Sequence, residues 1–206
     1  SIERIGSSTL DRFSKDIYSS DSIIREIAKN ASDSYAMLEN EFFNDLPDDY
    51  VNDEKIINIV IDKENDSLMI SDKGIGLDSV SILKLLDISI SDKAEIDGAT
   101  GHRGIGFWSA FSGGAKIIVQ STRYRSKELC TLTLNTERMR KKISPDTHLG
   151  QIMNDKENVL LAVEEADTNE LEHFTSIKII STEEPKGDLK SDQRLYDVIH
   201  KDNQYQ

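Results

Sequence analysis

Between Asp21 and Asn40, Ile23, Ile24, Ile27, Ala31, Ser34, Tyr35 and Leu38 recur at spacings of three and four, which predicts an amphipathic helix. The polar stretch 44–54 (NDLPDDYVNDE) predicts a loop. Ile56–Ile61 and Leu68–Ser71 are short apolar runs, and the turn residues of Asp62–Ser67 between them predict a β-hairpin. A glycine-punctuated loop follows at Asp72–Asp78, then a short helix over 79–87. Residues 89–103 mix Ser, Asp, Lys, Gly and Thr without period, which predicts a mobile loop, and Gly104–Phe111 leads into a further helix start. Lys116–Ser121, Leu129–Leu134, Val159–Val163 and Ser176–Ile180 predict four more strands, and the chain from Thr182 onward is polar. Helices separated by antiparallel strand pairs predict an α+β fold: a two-layer sandwich with one mixed, mostly antiparallel sheet and helices on one face. The expected division is a domain over 1–181 and a polar tail or linker over 182–206.

Composition removes several classes of function. The chain has 206 residues, 37% of them hydrophobic and 31% charged, with a formal net charge of −13. That length and apolar content suffice for a packed core. The acidic balance argues against a broad basic face for nucleic acid and against docking on anionic membranes. The one cysteine excludes a disulfide framework or a Cys-rich zinc site. With no signal-peptide core and no long apolar run, the expectation is a cytoplasmic chain.

Three constellations carry candidate chemistry. Glu26, Asn30 and Asp33 sit at i, i+4 and i+7, on one side of the first helix. A carboxamide oxygen suits Mg²⁺, which takes few protein ligands, and a nearby carboxylate can orient water and accept its proton. A solvated helix face is the plainer reading of the same residues. Asp72-Lys73-Gly74-Ile75-Gly76 follows a strand directly. Its glycines permit close backbone approach, and an aspartate at a strand end can accept from an exocyclic amine such as adenine's. An ordinary glycine-rich turn explains it equally. Gly101-His102-Arg103-Gly104-Ile105-Gly106-Phe107-Trp108 places three glycines before a helix start. Free N–H groups and the helix dipole there would favour an anion, with Arg103 adding charge-assisted bonds, or the glycines serve only to start the helix.

Taken in this order, the three segments resemble a known family. Ile17–Ala36 (IYSSDSIIREIAKNASDSYA) is similar to the opening helix and N-box of heat-shock-ninety chaperones. Ile70–Leu77 (ISDKGIGL) resembles a D-x-G-x-G box, and Gly101–Phe111 (GHRGIGFWSAF) resembles the second glycine box. Phe174–Ile179 (FTSIKI) resembles the G-T-x-I-x-I strand. The family is the GHKL ATPase superfamily: DNA gyrase B, the heat-shock-ninety chaperones, histidine-kinase catalytic domains and MutL. The resemblance covers about residues 17–180 and is closest in motif to the heat-shock-ninety-like branch.

The resemblance implies a Bergerat-type fold that binds ATP or ADP with Mg²⁺ and hydrolyses ATP slowly. It implies Glu26 as general base, Asn30 as the Mg²⁺ ligand, and Asp33 as a pocket-lining residue. Asp72 would take the adenine amine with Thr175 in support. Gly74 and Gly76 would let the loop close over the base, and Leu77 and Phe107 would wall it. Gly101, His102, Arg103, Gly104, Ile105 and Gly106 would meet the phosphates. Residues 87–103 would form the ATP lid, bringing Lys93 to a phosphate. Lid closure and homodimerisation of a larger multidomain protein would follow from ATP binding. Two other functions stay open: a nucleotide-gated interaction module without significant hydrolysis, and a histidine-kinase-type catalytic domain. Phe174 stands where the family has glycine, which predicts a reshaped adenine end. Arg138–Lys142 (RMRKK) is the only basic cluster, read mainly as surface and secondarily as a contact for nucleic acid or a partner domain.

Overall fold

A computed structural model of the chain describes residues 20–47, 50, 55–86, 114–142, 149–166 and 172–181. The first helix, α1, runs Ser20–Phe42. A hairpin follows, β1 at Ile57–Asp62 and β2 at Ser67–Asp72. A short helix α2 spans Ser79–Leu83 and continues as a 3-10 turn over Lys84–Leu86. Strands β3 (Gly114–Thr122) and β4 (Glu128–Leu134) pair next. Helices α3 (Thr136–Lys142) and α4 (Leu149–Asn154) lead to β5 (Val159–Glu165) and β6 (Phe174–Ser181).

The sheet order is β1-β2-β6-β3-β4-β5. All five pairings are antiparallel, so the parallel pair that a mixed sheet requires is not found among the described residues. The last strand among the described residues, β6, lies in the middle of the sheet, between β2 and β3. The sheet therefore closes only when distant parts of the chain meet.

Alternation along β2, β3, β4 and β6 decides which face is buried. Ile70, Ile177, Val119, Leu132 and Leu161 lie opposite one another across five strands. The neighbouring row runs Leu68, Ile179, Ile117, Leu134 and Val159. These side chains pack with Ile27 of α1, Ile82 of α2, Met139 of α3 and Ile152 of α4 in one core. Every helix among the described residues thus contributes to the same core, which gives the two-layer sandwich the sequence predicts.

The two short helices α3 and α4 are not among the predicted elements. The basic run 138–142 falls on α3, and its cations are engaged within the chain. Arg138 pairs with Asp155 at 3.2 Å and with Glu157, and its Nε donates to Asn158 Oδ1 at 3.0 Å. Lys142 bonds Asp155 at 2.6 Å, Lys141 bonds Glu137 at 2.7 Å, and Arg140 donates to the Gly114 carbonyl at 2.6 Å. The Lys142 ammonium, with the Glu157 main chain and Arg138, holds the Asp155 carboxyl well below the usual carboxylate range. The cluster ties α3 to the approach to β5. No helix among the described residues is long and apolar enough to cross a membrane.

Candidate functional site

One end of the core face turns polar. Two residues beyond the Ile70 row, the strands place Asp72, Thr175 and Ser121 side by side on β2, β6 and β3. All three are buried. Ser121 Oγ donates to the Phe174 carbonyl at 2.6 Å and accepts from the Leu77 N–H at 2.7 Å. Its one proton is thereby used, so in the 3.1 Å contact with Thr175 the threonine hydroxyl donates. Phe174 takes part here through its main-chain carbonyl, which any residue supplies, and its side chain is half-buried beside Thr122 in register.

Asp72 is 6% exposed, and among the described residues no lysine or arginine pairs with it. Its Oδ1 accepts from the Gly74 N–H at 2.8 Å. Burial pushes its carboxyl up to about 6, against the lowering effects of the Gly74 N–H and the Ser34 hydroxyl. A buried carboxylate without a cation is costly unless donors satisfy it. Asp72 is therefore poised to accept from a further donor.

The loop after Asp72 is packed tightly between α1 and β3. A Cβ on Gly74 would overlap the Ser34 side chain and main chain. Gly76 has φ +69°, and a Cβ there would overlap the Thr122 carbonyl oxygen. These two glycines are required by the close approach of the loop to its own fold. Gly76→Ala combines left-handed backbone strain with that overlap, so a loss of at least about 2 kcal/mol is expected, lowering the melting temperature by about 4–8 °C. A melt of the variant within 1 °C of wild type would contradict the packing described.

Helix α1 packs against β1, β2 and the loop after Asp72. Ser34 reaches Gly74, and Asn30 and Glu26 lie one and two turns earlier, both half-buried. At 1.5 Å per residue these positions are about 6 and 12 Å along the axis from Ser34. Asp33 is also half-buried, but it is the neighbouring Ser34 that touches the loop. Leu77 is half-buried and packs against the core. Lys93, Gly101, His102, Arg103, Gly104, Ile105, Gly106 and Phe107 lie outside the described residues, as do the segments 87–103 and 182–206.

The residue that the resemblance assigns to a magnesium ion, Asn30, would offer one carboxamide oxygen. Among the described residues no three His, Cys, Asp or Glu side chains converge on a metal position. A single neutral oxygen fits an ion that retains its waters and takes its other ligands from phosphate, and fits no all-protein cage.

Four further residues shape the site: Ser34 and Tyr35, which lie within the first segment without being among its predicted site residues, and Ser121 and His173, outside all three segments. Ser34 and Ser121 are polar positions on otherwise apolar faces, a signal present in the sequence. Tyr35 accepts the Lys73 N–H at 3.0 Å and donates to the Ile56 carbonyl at 2.7 Å, which ties α1 to the residues just before β1 and just after β2. His173 contacts the Gly74 carbonyl at 2.6 Å from 99 residues away, and no local pattern marks it.

Comparison with known proteins agrees with this architecture. The family model described as histidine kinase-, DNA gyrase B- and HSP90-like ATPase matches residues 18–160. The chaperone protein HtpG of Natranaerobius thermophilus is 35% identical over 130 residues, which cover 57% of this chain and 21% of that protein. HtpG of Helicobacter pylori strain 26695 is 30% identical over 137 residues, covering 58% and 21%. HtpG of Mycolicibacterium gilvum is 28% identical over 150 residues, covering 62% and 23%. The chain thus spans about a fifth of the length of the chaperones it matches. With a family model matched over more than half its length, and the strand-end acid, glycine loop and helix carboxamide arranged as described, the chain belongs to the histidine kinase-, DNA gyrase B- and HSP90-like ATPases.

Proposed function

We propose that this chain is an ATP-binding module that hydrolyses ATP slowly, and that nucleotide drives lid closure and dimerisation in a larger protein. The observation that carries the reading is Asp72, a buried carboxylate in a row of polar residues on the sheet's core face, followed by a loop that packs on the helix bearing Glu26 and Asn30. The adenine amine donates to Asp72, with Thr175 beside it in register. Asn30 would hold magnesium, which when bound would offset phosphate charge. Glu26 takes the proton from the attacking water. The phosphate-binding role of residues 101–106, the lid at 87–103 and the dimer are carried from the family resemblance.

Thermal melting with ATP and Mg²⁺ tests the first step. At a hundredfold excess over Kd, binding adds about 2.7 kcal/mol to stability, a rise of roughly 5–10 °C for a chain of this size. A melting temperature unmoved by ATP and by ADP, each with Mg²⁺, would overturn the nucleotide assignment.

A further inference from the structure

The peptide joining Gly74 to Ile75 is held at both of its polar atoms by distant parts of the chain. The Ile75 N–H donates to the Ser34 carbonyl of α1 at 3.1 Å. The Gly74 carbonyl, on the opposite side of the same planar unit, lies 2.6 Å from His173 Nδ1, just before β6. A carbonyl oxygen only accepts, so Nδ1 carries the proton in this contact. The His173 ring stands edge-on to Tyr124, with centroids 5.1 Å apart at 90°. The Tyr124 N–H in turn donates to the Ile75 carbonyl at 2.7 Å. The imidazole is therefore braced by the segment that holds the next carbonyl of the loop.

The clamp matters because of its position. Gly74 supplies the N–H that bonds Asp72 Oδ1. Glycine has the widest choice of backbone angles, so a peptide on its C-terminal side can rotate unless it is held. If the Gly74 carbonyl lost its donor, the residue could turn and carry its N–H off the carboxylate. We propose that His173 is a positioning residue: by donating Nδ1–H to the Gly74 carbonyl it fixes the Gly74–Ile75 peptide and keeps Asp72 aimed at its ligand. Its effect on ATP affinity rests on the nucleotide reading above. Its effect on the loop does not.

Two variants of the full chain separate the ring from the donor. His173→Phe keeps an aromatic edge against Tyr124 and removes Nδ1–H. His173→Asn replaces the ring but places a carboxamide N–H near the Nδ1 position. Without nucleotide, hydrogen exchange at the Gly74 and Ile75 amides is expected to quicken about tenfold or more in His173→Phe and to return toward wild type in His173→Asn. ATP affinity should weaken roughly three- to tenfold in the first and recover in the second, the scale of one lost hydrogen bond. Imidazole ¹⁵N shifts of the wild-type chain at neutral pH should report the Nδ1–H tautomer. Exchange in His173→Phe equal to wild type, or an Nε2–H tautomer in the wild type, overturns the proposal. The tautomer measurement decides even if His173→Phe fails to fold. A wild-type chain that binds no ATP overturns the nucleotide reading alone, since exchange and tautomer are read without ligand.

Discussion

Glu26→Ala is expected to reduce steady-state phosphate release by about 10²–10⁴-fold, the scale of a lost general base, while ATP affinity stays within about threefold of wild type. The two effects separate because of where the helix puts the residue. Glu26 lies two turns from Ser34, which packs on the Asp72 loop, so truncation leaves the strand-end row untouched. Alanine is the best helix former, so α1 is not weakened by the change itself. Glu26→Gln, which keeps shape and an acceptor but cannot take a proton, should lose turnover to a similar extent. The measurements are phosphate release at saturating ATP with Mg²⁺ and calorimetric affinity for both variants. Turnover near wild type in either would remove Glu26 as the base. Tight ATP binding by a wild-type chain with no phosphate release would instead favour the nucleotide-gated module without hydrolysis.

How much of this is legible in the sequence follows from the range of the interactions. The six strands and α1 are readable because alternation and helical period are local; in β2, β3, β4, β6 and α1 the apolar face is the buried one, whereas edge strand β1 leaves Ile59, Val60 and Ile61 exposed. The polar row is readable in principle from the same alternation: Asp72 continues Leu68 and Ile70, Ser121 continues Ile117 and Val119, and Thr175 precedes Ile177 and Ile179. Only the register shows that the three are neighbours, and register depends on β6 inserting between β2 and β3. The glycines of the D-x-G-x-G segment are visible, but not their duty in packing. Gly74 is required by Ser34, and Gly76 by Thr122, both contacts across long stretches of sequence. The basic run at 138–142 reads as surface because its partners, Asp155, Glu157 and Asn158, lie on a later segment. Helices α3 and α4 are too short for an apolar period to build up.

Asp72→Asn is expected to move stability and binding in opposite directions, and pH exposes the cause. Burial holds the folded-state carboxyl at about 6, above an unfolded value of about 3.9. The folded chain then binds this proton more tightly than the unfolded chain. The resulting stability is fully present below about pH 4 and is lost as pH rises through about 6, amounting to about 3 kcal/mol over the whole window. Roughly half of that change falls between pH 5 and 7.5. Asparagine has no such titration, and its oxygen can still accept the Gly74 N–H. Urea unfolding should therefore show the variant gaining on wild type by about 1–2 kcal/mol between those two pH values. ATP binding should fall about a hundredfold or more, because a carboxamide amine would face the adenine amine donor to donor and a charged acceptor is lost. In the wild type, affinity should weaken as pH falls below about 6, by at most tenfold per unit, because the proton must leave before the amine can donate. A stability difference independent of pH would show that Asp72 titrates normally, and unchanged ATP affinity in the variant would remove it from the pocket. If both effects hold, the cost of burying this carboxylate near neutral pH is borne by the empty fold and relieved when the nucleotide's amine arrives.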